Sequence, residues 1–207
     1  MATGFRRRFG LDRSGPPPRE TEKGQPLRPW TVPNAIGYLR LAAIPVFLYL
    51  ALSSSDGHDP CAWGLFFVIA AGDYVDGFVA RATGQYSRMG ALLDPVTDRL
   101  TILSGAVVCW HFELLPRWAL AVLVGREVVM LLLGQYALRR GQEIKINWYG
   151  RIAVFPIMGA IFWAMVVESV VWNVMFVVGV ALSVVATIAY AQTGLRAIHA
   201  TQPSTRS

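Results

Sequence analysis

Four carboxylates stand out between residues 73 and 98, in the stretch DYVDGFVARATGQYSRMGALLDPVTD. Asp73 and Asp76 are spaced i, i+3, and Asp94 and Asp98 are spaced i, i+4. On helices, either spacing puts both side chains on one face, with Cβ atoms roughly 5–6 Å apart. Gly77 and Ala80 share the face of the first pair, and Gly90 lies one turn before Asp94 on the face of the second. Two such faces brought together gather four carboxylates beside small residues, where a ligand can come close to backbone. Carboxylates gathered this way repel one another and need compensation. A divalent cation that prefers hard oxygen ligands, Mg2+ or Mn2+, supplies it. Two such ions would suit a site that clamps the oxygens of a phosphoryl transfer. The competing reading is structural, with these Asp residues capping helix ends or pairing with Arg81, Arg88 and Arg99. That reading accounts for any one of them more readily than for four at these spacings with Gly and Ala interleaved.

The elements that must position this stretch are apolar. Hydrophobic residues make up 54% of the 207 and charged residues 15%, too apolar for an ordinary soluble domain. The length holds about six spans of ~20 residues with short loops. The pattern predicts an all-α integral membrane protein with six transmembrane helices at about 31–52, 61–80, 89–111, 118–138, 148–167 and 170–195. Thr31-Val32-Pro33-Asn34 reads as a helix start with Pro near its first position. Arg40 lies inside the first span, where an Arg either has a partner, faces a polar cavity or snorkels to the headgroups. Arg126 and Glu127, adjacent in the fourth span, point about 100° apart and need not pair. Pro156 is expected to bend the fifth. Both halves of the carboxylate stretch fall at one membrane edge, the first leaving a span and the second entering the next.

Residues 1–29 are polar, basic and rich in Pro and Gly, the composition of a disordered tail held near anionic headgroups. No aromatic interleaving supports nucleic acid as a partner. The membrane domain is expected over 30–198, with a short tail over 199–207. Trp30 suits an interfacial anchor. Cys61 and Cys109 have neither a CxxC partner nor a His cluster, so they read as packed or lipid-facing thiols. Lys and Arg concentrate in the basic tail, the 81–88 connection, the Arg139–Lys145 loop and the C-terminus, while the opposite loops carry only Arg117. That asymmetry predicts a multi-pass protein of the cell membrane with both termini and the carboxylates on the cytoplasmic side.

The pattern D-x2-D-G-x2-A-R-x8-G-x3-D-x3-D is met at all eight positions, by Asp73, Asp76, Gly77, Ala80, Arg81, Gly90, Asp94 and Asp98. It resembles the signature of the CDP-alcohol phosphatidyltransferases, and the wider resemblance runs from about Thr31 to the end of the sixth span. The resemblance implies the fold of that family, bacterial phospholipid biosynthesis, and a homodimer in the bilayer. The implied reaction moves a phosphatidyl group from CDP-diacylglycerol to an alcohol and releases CMP. It also implies roles: Asp73, Asp76, Asp94 and Asp98 as metal ligands, with Asp98, beside Asp94, doing the catalytic work as general base. Arg81 then contacts the donor phosphates, and Gly77, Ala80 and Gly90 leave room for the cytidine and its ribose. Asn34 and Arg40 match a T-x-P-N-x5-R pattern of the glycerophosphate branch, which puts Asn34 on the donor side.

Acceptor candidates are Arg139, Arg140, Lys145 and Arg151. Phosphatidylglycerophosphate synthases are expected to carry G-K-x-K-T where this chain has Gly150-Arg151-Ile152-Ala153-Val154. The first cation is kept, the second is Ala153 and the Thr is Val154. This departure brings the chain toward the actinobacterial cardiolipin synthases, which use phosphatidylglycerol. The lean here is to glycerol 3-phosphate, the more widespread acceptor, with phosphatidylglycerol as the alternative. Two other classes compete: an intramembrane prenyltransferase, which would carry a second Asp-rich motif in later spans, and a carboxylate-lined transporter, which would carry acids along a whole pore.

Overall fold

Each helix end has a local chemical cause. Thr31 caps the first helix, its Oγ1 accepting from the Asn34 N–H, and Pro33 follows within the first turn. Asp59 caps the second, accepting from the Ala62 N–H at 2.8 Å, with Pro60 at its first position. That helix stops at Gly84, whose φ of 67° is the left-handed conformation that glycine adopts without steric cost. The computed structural model describes residues 28–139 and 148–200. Among them the order is α1 (Val32–Ser53), α2 (Pro60–Thr83), α3 (Arg88–His111), α4 (Arg117–Arg139), α5 (Trp148–Val166) and α6 (Val170–Ala200), with no strand. These bounds lie within a few residues of the expected spans. The tail over 1–27 and residues 201–207 fall outside the described residues.

The described chain divides into two compact units, one up to Val108 and one from Cys109. In the first, α1 packs on α2, with Phe47 and Phe66 fully buried and their ring centroids 5.2 Å apart. Ile44, Ala51, Ala62 and Ile69 are buried with them. In the second, α6 packs on α5 and on α4. Gly179 sets the approach of α6 to α5: a Cβ there would lie 2.9 Å from Ile157 Cγ1 and 3.2 Å from the Ile157 backbone nitrogen. Small residues at such crossings bring helix backbones close, the main source of packing energy where lipid surrounds the helices. Trp163 stacks on Trp172 at 5.4 Å.

Many large apolar side chains stand exposed among the described residues. Leu39, Phe155, Val170 and Val185 are each more than 60% exposed, far beyond what a soluble monomer leaves bare in such number. Three helices are long and apolar enough to cross a bilayer among the described residues: α1, α2 and the Val170–Ala189 part of α6. The apolar part of α5, Val154–Val166, is shorter. In α3, Asp94, Asp98 and Arg99 all fall near the middle, so no window of spanning length avoids them.

Within the second unit, the adjacent Arg126 and Glu127 pair with each other after all, and Arg126 Nε also donates to Thr187 Oγ1 on α6 at 3.0 Å. The sequence spacing left this open. A long guanidinium stem can swing back across the 100° between neighbours, and two ions this deeply buried gain more from pairing than from facing apart.

Candidate active site

The site is assembled from three helices of the first unit: the middle of α1, the second half of α2 and the first half of α3. Its centre is the Arg40 guanidinium, 5% exposed. Nη1 donates to Asp76 Oδ2 at 2.9 Å and to Asp73 Oδ1 at 3.4 Å, and Nη2 donates to Asp98 Oδ1 at 3.2 Å. Nε donates to the Ile69 carbonyl at 2.9 Å. The stem crosses α2 at Gly72, where a Cβ would stand 2.7 Å from Arg40 Cδ and 3.1 Å from Nε. A side chain at position 72 would therefore close the route by which Arg40 reaches the carboxylates.

A second polar knot ties the entrance of α1 to that of α3. The Asn34 side-chain amide donates to the carbonyls of Arg28 and Pro29, both at 3.0 Å. Its Oδ1 accepts from Ser87 Oγ at 2.8 Å, and Ser87 Oγ accepts from the Gly90 N–H at 2.9 Å. Gln85 Oε1 accepts from the Val32 N–H at 3.2 Å. The connection between the two carboxylate pairs is thus held against α1, which sets the register of α3 and of Asp94 and Asp98 on it.

Of the four carboxylates expected at one point, Asp73, Asp76 and Asp98 come together around Arg40, from two different helices. Asp76 is buried, whereas the side chains of Asp73 and Asp98 are each 48% exposed. Asp94 is exposed, within electrostatic reach of Asp73, Asp76 and Arg40, and is not one of the carboxylates that Arg40 touches. Gly77 faces Arg81, whose Nη1 would lie 3.2 Å from a Cβ there, and Ala80 is half-buried one turn on. Gly90 has a local reason to be small, since a Cβ would stand 2.8 Å from Asn34 Oδ1. Arg139 and Arg151 lie in α4 and α5, but their side chains, like all of Arg140 and Lys145, are outside the described residues. Arg40, which neither the metal reading nor the competing structural reading named as a partner, supplies a countercharge to Asp73, Asp76 and Asp98. The available signal was an arginine inside an apolar span, which requires a partner.

Three carboxylates from two consecutive helices, with Gly and Ala between, meet where the D-x2-D-G-x2-A-R-x8-G-x3-D-x3-D pattern falls. A profile described as CDP-alcohol phosphatidyltransferase matches residues 30–186. The chain belongs to that family. Among its relatives, a protein named cardiolipin synthase (CMP-forming) from Streptomyces coelicolor is 39% identical over 63% of this chain and 62% of its own length. A putative cardiolipin synthase from Mycobacterium tuberculosis is 36% identical over 62% of this chain and 61% of its own. A CDP-diacylglycerol–glycerol-3-phosphate 3-phosphatidyltransferase from Bacillus subtilis is 27% identical over 59% of this chain and 70% of its own. The matched stretch thus spans less than two thirds of the cardiolipin synthases it resembles.

A CDP-alcohol phosphatidyltransferase generally depends on a divalent metal, and the donor set here fits one. It consists of hard carboxylate oxygens, most of them open to solvent on one side, and three of them already converge on a cation. Among the described residues no three carboxylates stand around an empty common point at ligand distance. The Arg40 guanidinium holds the place where Asp73, Asp76 and Asp98 meet.

Proposed function

We propose that this protein transfers the phosphatidyl group of CDP-diacylglycerol to the free hydroxyl of phosphatidylglycerol, forming cardiolipin and CMP. The observation that carries this reading is the convergence of Asp73, Asp76 and Asp98 from α2 and α3, in a chain that meets all eight positions of the family pattern. The hydroxyl oxygen bonds to the phosphorus that bears diacylglycerol. The bond from that phosphorus to the bridging oxygen breaks, CMP leaves with that oxygen, and the hydroxyl proton passes to Asp98. Asp98 is open to this proton through its half-exposed carboxylate. Asp73, Asp76 and Asp94, with the second oxygen of Asp98, would hold one or two Mg2+ or Mn2+ ions, which when bound neutralise the pyrophosphate and orient it for in-line attack. Arg81 contacts the donor phosphates, and Gly77 and Ala80 line the space for the cytidine. Gly90 and Asn34 act on the donor side chiefly by holding the entrance of α3 in register.

Two observations favour phosphatidylglycerol as acceptor. Position 153 is Ala and position 154 Val where a glycerol 3-phosphate site should have Lys and Thr. The relatives named cardiolipin synthase match at 36–39% identity, those named for glycerol 3-phosphate or phosphatidylglycerophosphate at 27–34%. A glycerol 3-phosphate dianion gives up strong hydration on binding and needs paired cations in return. With Ala153 in place, Arg139, Arg140, Lys145 and Arg151 would have to provide them. Glycerol 3-phosphate remains the second reading, supported by Thr31, Pro33, Asn34 and Arg40 in the first span. Purified protein given CDP-diacylglycerol, Mg2+ and both acceptors separately decides between them by lipid mass spectrometry. Cardiolipin is the expected product, and Ala153→Lys should add little glycerol 3-phosphate turnover. Phosphatidylglycerophosphate as the main product would reverse the choice. In that case Arg151→Ala should raise KM for glycerol 3-phosphate about tenfold or more, the loss of one charge-assisted contact.

The reading also includes six membrane spans, a catalytic domain over 30–198, cytoplasmic termini and a homodimer in the cell membrane. Cysteine labelling checks the orientation. Cys61 is exposed and Cys109 buried, so Cys61→Ser provides the background. Ser55→Cys lies on the connection between α1 and α2 and Ala82→Cys in the last turn of α2, both at exposed positions. An impermeant maleimide should reach position 82 only from the cytoplasmic side and position 55 only from outside; the reverse pattern contradicts the orientation.

A further inference from the structure

We propose that Arg40 is a resident counter-cation of the carboxylate site, holding Asp73, Asp76 and Asp98 together before metal binds and releasing Asp73 and Asp98 to it. This rests on the reading of the four Asp residues as metal ligands and goes beyond it by giving the site a metal-free state. The anchorage of Arg40 does not depend on the carboxylates it would release. Its Nε is fixed on the Ile69 carbonyl at 2.9 Å, and its stem runs through the gap left by Gly72. The contacts differ in kind. The bond to buried Asp76 is the shortest, at 2.9 Å, whereas those to Asp98 at 3.2 Å and Asp73 at 3.4 Å reach half-exposed carboxylates. A charge pair shielded from water is held much more strongly than one open to it. A cation arriving from solvent therefore meets Asp73 and Asp98 at their open side, where the guanidinium hold is weakest. The Arg40–Asp76 pair stays behind and leaves the second Asp76 oxygen available. Three carboxylates whose mutual repulsion would otherwise part α2 from α3 are in this way kept in register at low metal.

The test compares the whole protein in detergent with Arg40→Gln, Arg40→Lys and Gly72→Ala, by thermal melting in EDTA and across a Mn2+ titration, with bound Mn2+ read by EPR. Arg40→Gln should melt several degrees lower than wild type in EDTA and regain most of the difference at saturating Mn2+. Its Mn2+ affinity should rise by on the order of tenfold, because the ion no longer displaces a charge. Arg40→Lys, with one ammonium for three carboxylates, and Gly72→Ala, which moves the guanidinium without removing it, should fall between. A deficit in Arg40→Gln that Mn2+ leaves untouched, or an unchanged Mn2+ affinity, would make Arg40 a plain structural pair and overturn the proposal. If Arg40→Gln does not fold even in Mn2+, an unchanged affinity in Gly72→Ala does the same. Wild-type protein that binds no Mn2+ while Asp98→Asn still abolishes turnover would instead overturn the metal reading itself.

Discussion

Asp98→Asn should fold, insert and bind CDP-diacylglycerol, yet release CMP about 10²–10⁴ times more slowly than wild type, the usual loss on removing a general base. Asn keeps the shape of the side chain and an oxygen for Arg40 Nη2, now 3.2 Å away, but can neither accept the hydroxyl proton nor offer a charged ligand. The cost in stability should be small, within about 1 kcal/mol, because the Asp98 side chain is 48% exposed and its ion pair is screened by water. Asp94→Asn should lose activity to a similar extent with still less effect on folding, since Arg40 does not touch it. Initial rates of CMP formation at saturating Mg2+, with melting curves on the same preparations, separate the two effects. Wild-type turnover in either variant would remove that residue from the site.

Asp76→Ala should be the most damaging of the four to the fold. Asp76 is 5% exposed and pairs at 2.9 Å with an arginine equally buried. Breaking such a pair from one side leaves an uncompensated charge in a poorly solvated place and costs about 3–5 kcal/mol. Asp73→Ala, on a half-exposed side chain 3.4 Å from the same guanidinium, should cost far less stability while still lowering metal-dependent turnover. The double variant Arg40→Met/Asp76→Leu should recover much of the lost stability without any activity, because two apolar side chains replace a pair that has to be desolvated. Thermal melting of the four proteins in one detergent checks this order. Equal melting temperatures for Asp76→Ala and Asp73→Ala would mean that burial does not distinguish them.

The first two helices were legible because each is a long apolar run between residues with strong local roles, such as Pro33, Asp59, Pro60 and Gly84. The carboxylate faces were legible because i, i+3 and i, i+4 are local relations on a helix. What local spacing could not reveal was the partner of those faces. Arg40 lies 33 positions from Asp73 and 58 from Asp98, so its pairing depends on how α1 packs against α2 and α3. The same holds for Gly72, which sits outside the motif and becomes meaningful only once the Arg40 stem is seen to pass over it. Gly90 was read as space for a nucleotide, and its contact with Asn34 adds a local reason that no spacing rule encodes. Helical angle left open whether Arg126 and Glu127 pair, and they do, because a long side chain can reach across the angle between neighbours.

The central claim is phosphatidyl transfer by the carboxylate site, and its most direct measurement is CMP formation by the purified protein. CDP-diacylglycerol is supplied with Mg2+, with phosphatidylglycerol present or absent, to wild type and to Asp98→Asn. Wild type should release CMP only when CDP-diacylglycerol, acceptor and Mg2+ are all present, one CMP for each cardiolipin formed, and Asp98→Asn should release almost none. CMP release by Asp98→Asn at the wild-type rate, or none from wild type with any alcohol tried, would contradict the account.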